Sequence, residues 1–193
     1  MPAQRLLFAT SNVHKLEEIR ALMPEGFEII GLKEIGFSGS IPETGTTFEQ
    51  NALMKSRFIH RIYGGNVISD DSGIEVDSLN GRPGVFSARY AGEGATDQEN
   101  YRLLLQEMNA ETNRKARFVA VISLIYNNID YFFRGEIQGR IAFEAKGSNG
   151  FGYDPVFIPD GFDKTFAELP SSVKNRLSHR AAAASKLADF LKA

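Results

Sequence analysis

The first apolar run, Arg5–Ala9 (RLLFA), has the length of a buried strand and runs into the polar turn Thr10-Ser11-Asn12. Leu16, Ile19, Leu22 and Met23 then share one face of a helix that Pro24 stops. Thr46-Thr47-Phe48-Glu49 fits a capping box, so a second helix is predicted to run to about Tyr63 and end at Gly64-Gly65. Val67–Ser69 reads as a short strand that empties into Asp70-Asp71-Ser72-Gly73. Thr96-Asp97-Gln98-Glu99 is another capping box, and Tyr101, Leu104, Leu105 and Met108 follow it at i, i+3, i+4, i+7. Arg117–Tyr126 is apolar on both parities, as a central strand covered on both faces would be. Asn127-Asn128 turns it into Ile129–Phe143. There Tyr131, Phe133, Ile137, Ile141 and Phe143 alternate with Arg134, Glu136, Gln138 and Arg140, so one face meets water. The run from Val173 to Leu191 is helical, either continuous or broken near Ser178. This order predicts an α/β chain with a mixed sheet and helices on its faces. With no internal repeat or linker, a single domain over 1–193 is expected.

Composition removes several function classes. Apolar residues at 42% and charged residues at 24% are globular values, which excludes disorder and fibres. A net charge of -2 argues against a general nucleic-acid coat. The absence of cysteine excludes a disulfide scaffold, a thiol nucleophile and a cysteine zinc site. His14, His60 and His179 lack metal-motif spacing. No apolar run reaches the ~18 residues of a membrane span, and MPAQRLLFATSN is too short and polar for a signal peptide. The expectation is a soluble cytoplasmic protein with no nucleic-acid or membrane partner. Charge is unevenly placed: acids dominate between Glu34 and Asp77, bases from Lys164 onward. Opposed patches of this kind suit a metal–polyphosphate ligand, and they also occur on ordinary surfaces.

Four segments can carry chemistry. Thr10-Ser11-Asn12-Val13-His14-Lys15 joins a strand end to a helix start, where unpaired N–H groups and Lys15 make an anion site; plain N-capping by Ser11 or Asn12 is the alternative. Asp70 and Asp71 are adjacent carboxylates that suit Mg²⁺ or a proton-accepting role, and Glu43 is a further possible ligand. Because neighbouring strand residues point to opposite faces, one of the pair is expected to face a cleft. The alternative is a turn closed by Asp70 or Asp71 on the local backbone. In Gly147-Ser148-Asn149-Gly150-Phe151-Gly152-Tyr153-Asp154-Pro155 the glycines let the backbone approach a ligand while a ring stacks on it, or else both rings belong to the core. In Lys174-Asn175-Arg176-Leu177-Ser178-His179-Arg180, Ser178 is a good N-cap that would set His179 and Arg180 at a helix start, against the alternative of a solvated charged face.

Taken together, SNxxK, ETGxTFxxNA, DDSG, PGVFSARYAG, GFGYDPVF and SHRAAA, in this order, resemble the inosine triphosphate pyrophosphatase family over nearly the whole chain, from Phe8 to about Lys192. The resemblance implies a long central mixed sheet, two lobes with the active-site cleft between them, Mg²⁺ dependence and a homodimer. It implies hydrolysis of non-standard purine nucleoside triphosphates (ITP, dITP, XTP) to monophosphate and pyrophosphate. Under it, Thr10, Ser11, Asn12 and Lys15 look like the phosphate loop, with Lys55 supporting the phosphates. Glu43 and Asp71 look like the metal carboxylates, with Asp71 as proton acceptor and Ser72 beside it touching substrate. Phe151, Gly152, Tyr153 and Asp154 look like the base and sugar pocket, and Lys174, His179 and Arg180 like the remaining clamp. One departure is Gln50, where bacterial relatives usually carry Glu. The rival readings are a Maf-like pyrimidine nucleotide pyrophosphatase, a nucleotide-binding module with little turnover, and a structural or interaction domain.

Overall fold

The strand expected to end at Ser69 instead continues to Val76, so Asp70 and Asp71 lie inside it rather than in a turn. In this computed structural model, which describes residues 3–192, the elements are β1 (Gln4–Phe8), α1 (Val13–Leu22), β2 (Phe27–Gly31), α2 (Phe48–Tyr63), β3 (Asn66–Val76), α3 (Asp97–Glu107), β4 (Lys115–Tyr126), β5 (Ile129–Ile141), β6 (Phe157–Pro159), α4 (Ser171–Leu177) and α5 (His179–Lys192). Among the described residues six strands form one sheet in the order β2-β1-β3-β4-β5-β6. β1 is parallel to β2 and to β3, and β5 is antiparallel to β6, so the sheet is mixed, as expected. Asn127 and Asn128 both take left-handed backbone, at φ 50° and 64°, the conformation of a tight two-residue hairpin turn. No helix among the described residues is long and apolar enough to cross a membrane.

Two further expectations are corrected and one open choice is closed. The cap of α2 is Thr47, whose side chain accepts from Gln50 N. Thr46-x-x-Glu49 and Thr47-x-x-Gln50 both fit the capping pattern; the helix starts in the second frame, and the Gln50 side chain reaches past the cap to accept from Thr46 N at 2.8 Å. Phe143 lies beyond β5 and is 84% exposed; it joins no core, and Arg114 rests over its ring at 4.4 Å. The C-terminal helical run is broken, as one of the two alternatives had it: Ser178 is extended at φ -66° and ψ 157°.

The chain divides into two units, and the division falls inside three strands. The first comprises residues up to Asp71, Ala120–Gly135 and the chain from Arg180; the second comprises Ser72–Val119 and Glu136–His179. In the first unit, alternation along the sheet assigns each face to particular helices. Leu6, Phe8, Ile68, Ala120, Ile122 and Leu124 pack with Ile19 of α1 and with Ala183, Ala184 and Leu187 of α5. Ala9 and Val67 pack instead with Ile59 of α2. The second unit has its own core, where Ile74, Val76, Phe118 and Ile141 meet Leu104 and Met108 of α3, Phe157 and Phe166.

In the second unit Tyr90 donates its hydroxyl to Glu107. Burial, reinforced by that bond and the carboxylate charge, pushes the phenol up to about 12 from an ordinary 10.0. Tyrosine is neutral when protonated, so the folded state holds the proton more tightly than the unfolded one. The stabilisation is fully present below pH 10 and is lost as pH rises toward 12. Melting temperatures recorded from pH 9 to 11.5 should therefore fall more steeply for the natural protein than for Tyr90→Phe; parallel curves would refute the coupling.

Candidate functional site

The first cluster grows out of the parity of β3. Asp70 shares parity with Ile68 and faces α1 and α5; Asp71 shares parity with Val67 and faces α2. Accordingly Asp70 accepts from Lys15 Nζ of α1 at 2.7 Å and from Arg180 Nε of α5 at 2.6 Å. Asp71 accepts from Asn51 Nδ2 at 3.2 Å and from Lys55 Nζ at 3.1 Å, both on α2. Asn51 and Lys55 stand one turn apart, so one helix face supplies both donors. The two neighbours thus point to opposite faces of β3, as the alternation of a strand requires, and each carboxylate has its own helix partners.

Charge differentiates the pair. Burial alone would raise the Asp70 carboxyl, but the Arg180 and Lys15 cations beside it hold it far below the carboxylate range. Asp71 is pushed upward by burial, against the pull of Lys55 and Lys15. Lys55 loses water on burial, yet Asp71 and Glu43 keep its ammonium above the ordinary value. Burial, with Arg180 and Lys55 nearby, draws the Lys15 ammonium down despite Asp70. Asp70 is therefore a fixed anion, whereas Asp71 is the carboxyl whose surroundings favour taking a proton.

Glu43 approaches from the loop before α2, with Oε2 3.0 Å from Lys55 Nζ. Glu43 and Asp71 thereby bring two carboxylates to one ammonium. Among the described residues no three acidic, histidine or cysteine side chains converge in a metal-binding group. Two carboxylates still match a hard divalent ion that takes its other ligands from phosphate and water. Gln50 is occupied as a cap: its Oε1 accepts from both Thr46 N and Thr46 Oγ1.

At the start of α1 the open choice between Ser11 and Asn12 falls to Asn12, whose Oδ1 accepts from Lys15 N at 3.1 Å. Thr10 Oγ1 accepts from Asn12 N at 3.1 Å, and Ser11 is exposed. Arg180 is 1% exposed; besides Asp70 it reaches Glu18 of α1 through Nη1 at 2.5 Å.

The second cluster belongs to the second unit. Asp154 Oδ2 accepts from Lys174 Nζ at 2.6 Å and from Phe151 N at 2.8 Å. Lys174 Nζ also lies 4.3 Å from the centre of the Phe151 ring. Gly150 permits this fold: a Cβ there would lie 2.0 Å from Asp154 Oδ2, and its φ is 77°. Tyr153 is buried among the core residues, and its hydroxyl donates to Ser87 O at 2.8 Å. Gly152 N donates to Asp97 Oδ2 at 2.7 Å. His179 stacks on Phe118, with ring centres 4.7 Å apart and planes 10° off parallel. Ser72 is half-buried in β3 just beyond Asp71.

Sequence reasoning gave no role to Asn51, Glu18 or Asp97. The spacing of Asn51 and Lys55 was a usable signal for the first. Glu18 and Asp97 meet partners 162 and 55 positions away, which local pattern does not reveal.

A Ham1 family sequence profile matches residues 6–190. The chain belongs to the Ham1 family. It is 50% identical over 189 residues to a protein of Porphyromonas gingivalis named dITP/XTP pyrophosphatase, covering 97% of each chain. It is 44% identical over 191 residues to one of the same name from Bacillus subtilis, covering 97% of this chain and 96% of that one. Among solved structures, the Staphylococcus aureus Ham1 protein superposes with a TM-score of 0.89 at 40% identity, covering 98% of both chains.

Proposed function

We propose that this protein hydrolyses inosine- and xanthosine-type purine nucleoside triphosphates at the α-phosphorus, releasing pyrophosphate and leaving the monophosphate. The observation that carries the reading is the Asp71–Lys55–Glu43 group, in a chain whose relatives are named for dITP and XTP. Asp71 accepts the proton of the attacking water, a step worth about 10²–10⁴-fold when the base is positioned. Lys55 and Asn51 orient its carboxylate from α2. Lys15, the Thr10–Asn12 turn and Arg180 are assigned to the triphosphate, with Ser72 beside Asp71 touching substrate. Asp70 holds Lys15 and Arg180 in place and opposes the burial that draws the Lys15 ammonium down. Glu43 and Asp71 would hold Mg²⁺, which when bound supplies charge neutralisation on the phosphate oxygens.

Phe151, Gly152, Tyr153 and Asp154 are assigned to the nucleobase, with Lys174 and His179 completing that set. Phe151 offers a stacking face worth about 1–3 kcal/mol to any base, so stacking alone does not select. Selection comes from donors that meet a 6-oxo group and leave the 6-amino group of ATP mismatched, a difference of up to about 10⁴-fold. Tyr153 serves through its main chain and through the fixed backbone around it, since its hydroxyl is already committed to Ser87.

The test is pyrophosphate release from ITP, XTP, ATP and GTP, each with Mg²⁺ and with EDTA. ITP and XTP should turn over with Mg²⁺ at least about 10²-fold faster than ATP. Turnover of dTTP or UTP in place of ITP would support the pyrimidine reading, and tight ITP binding without pyrophosphate release would support a binding module.

A further inference from the structure

The peptide between Phe151 and Gly152 is held at both ends. Phe151 O accepts from Asp154 N at 3.2 Å, and Gly152 N donates to Asp97 Oδ2 at 2.7 Å. The first bond, like that from Phe151 N to Asp154 Oδ2, is internal to the loop. The second comes from outside it, from the first residue of α3. Gly152 sits at φ 63°, and without a Cβ its peptide has several conformations of similar energy. An external bond is what selects one of them.

The turn of helix that carries Asp97 is itself anchored. One turn on, Asn100 is 2% exposed; it accepts from Ala91 N at 2.8 Å and donates to Ala88 O at 3.2 Å. Ser87, in the same segment, accepts the Tyr153 hydroxyl. The two residues before Asp154 are thus tied to the start of α3: Gly152 directly through Asp97, and Tyr153 through the Ser87–Ala91 segment that Asn100 holds.

We propose that Asp97 is a positioning residue for nucleobase recognition. Its carboxylate fixes the Phe151–Gly152 peptide, and so the placement of the Phe151 ring and the Asp154 carboxylate. The inference rests on the assignment of this loop to the base. Because the base is remote from the reacting phosphorus, loss of its placement weakens ground and transition states alike, which appears in KM rather than kcat.

The test compares Asp97→Ala and Asp97→Asn in the full chain with Mg²⁺. Asp97→Ala should raise KM for ITP about tenfold with kcat within about twofold, and lower the ITP-over-ATP ratio of kcat/KM about tenfold. The Gly152 amide should exchange with deuterium faster than in the natural protein. Asp97→Asn keeps an acceptor but not the charge, so its KM should stay within about threefold of the natural value. An Asn variant as impaired as the Ala variant would mean that Asp97 acts only as a charge at the start of α3, and would overturn the inference. So would an active enzyme whose KM and Gly152 exchange ignore Asp97→Ala. If the natural protein hydrolyses neither ITP nor XTP, the functional reading falls and takes this inference with it.

Discussion

Asp71→Asn is expected to lower kcat for ITP by about 10²–10⁴-fold under saturating Mg²⁺, with a far smaller effect on KM. The carboxamide fills the same volume but does not take the proton of a water at neutral pH. Lys55 retains Glu43 as an acceptor at 3.0 Å, so the substitution leaves the ammonium partnered. The fold should survive, since the residue replaced is a carboxyl that burial already pushes toward its neutral form. Steady-state kinetics with a melting curve on the same sample checks both parts. A kcat within about threefold of the natural enzyme, in a sample that melts normally, would remove Asp71 from the chemistry.

Arg180→Met is expected to have the largest effect on stability, about 3–5 kcal/mol, which for a chain of this size lowers the melting temperature by roughly 6–20 °C. The reason lies in Asp70, which is 1% exposed and has been stripped of water. Its charge is tolerated because two cations face it, and removing one leaves a buried anion half compensated. Glu18 loses its Arg180 contact as well. Adding Asp70→Asn to Arg180→Met should recover part of the loss, because the anion that needed the guanidinium is then gone. Denaturant titrations of the two single variants and the double variant measure that coupling. A loss below about 1 kcal/mol for Arg180→Met would place Arg180 among weak surface pairs and contradict its burial.

Much of the secondary structure was legible because it follows local rules. The α3 capping box, the Asn127-Asn128 turn and the doubly apolar β4 each needed only residues close in sequence. Failure came where a distant partner overrides local preference. Asp-Asp-Ser-Gly has the composition of a turn, yet β3 runs straight through it. Lys15, Lys55 and Arg180 compensate the two carboxylates, and none of them lies nearer than 15 positions. At α2 two overlapping capping frames one residue apart differed only in whether Glu49 or Gln50 turned back, which composition does not decide. The candidate residues were legible through six motifs in register, whereas their wiring was not. That Asp70 and Asp71 serve different helices, or that Gln50 is spent on a cap, emerges only from the packed chain.

The interrupted make-up of the first unit has a consequence for biosynthesis. Asp70 and Arg180 are 110 positions apart, and α5 contributes Ala183, Ala184 and Leu187 to the core built on β1 and β3. A growing polypeptide emerging from the ribosome therefore exposes that apolar surface, and keeps an anion short of one counter-charge, until nearly every codon up to α5 has been read. Closure of so long a loop is slow, so the nascent chain spends that interval with an apolar sheet face open to chaperones.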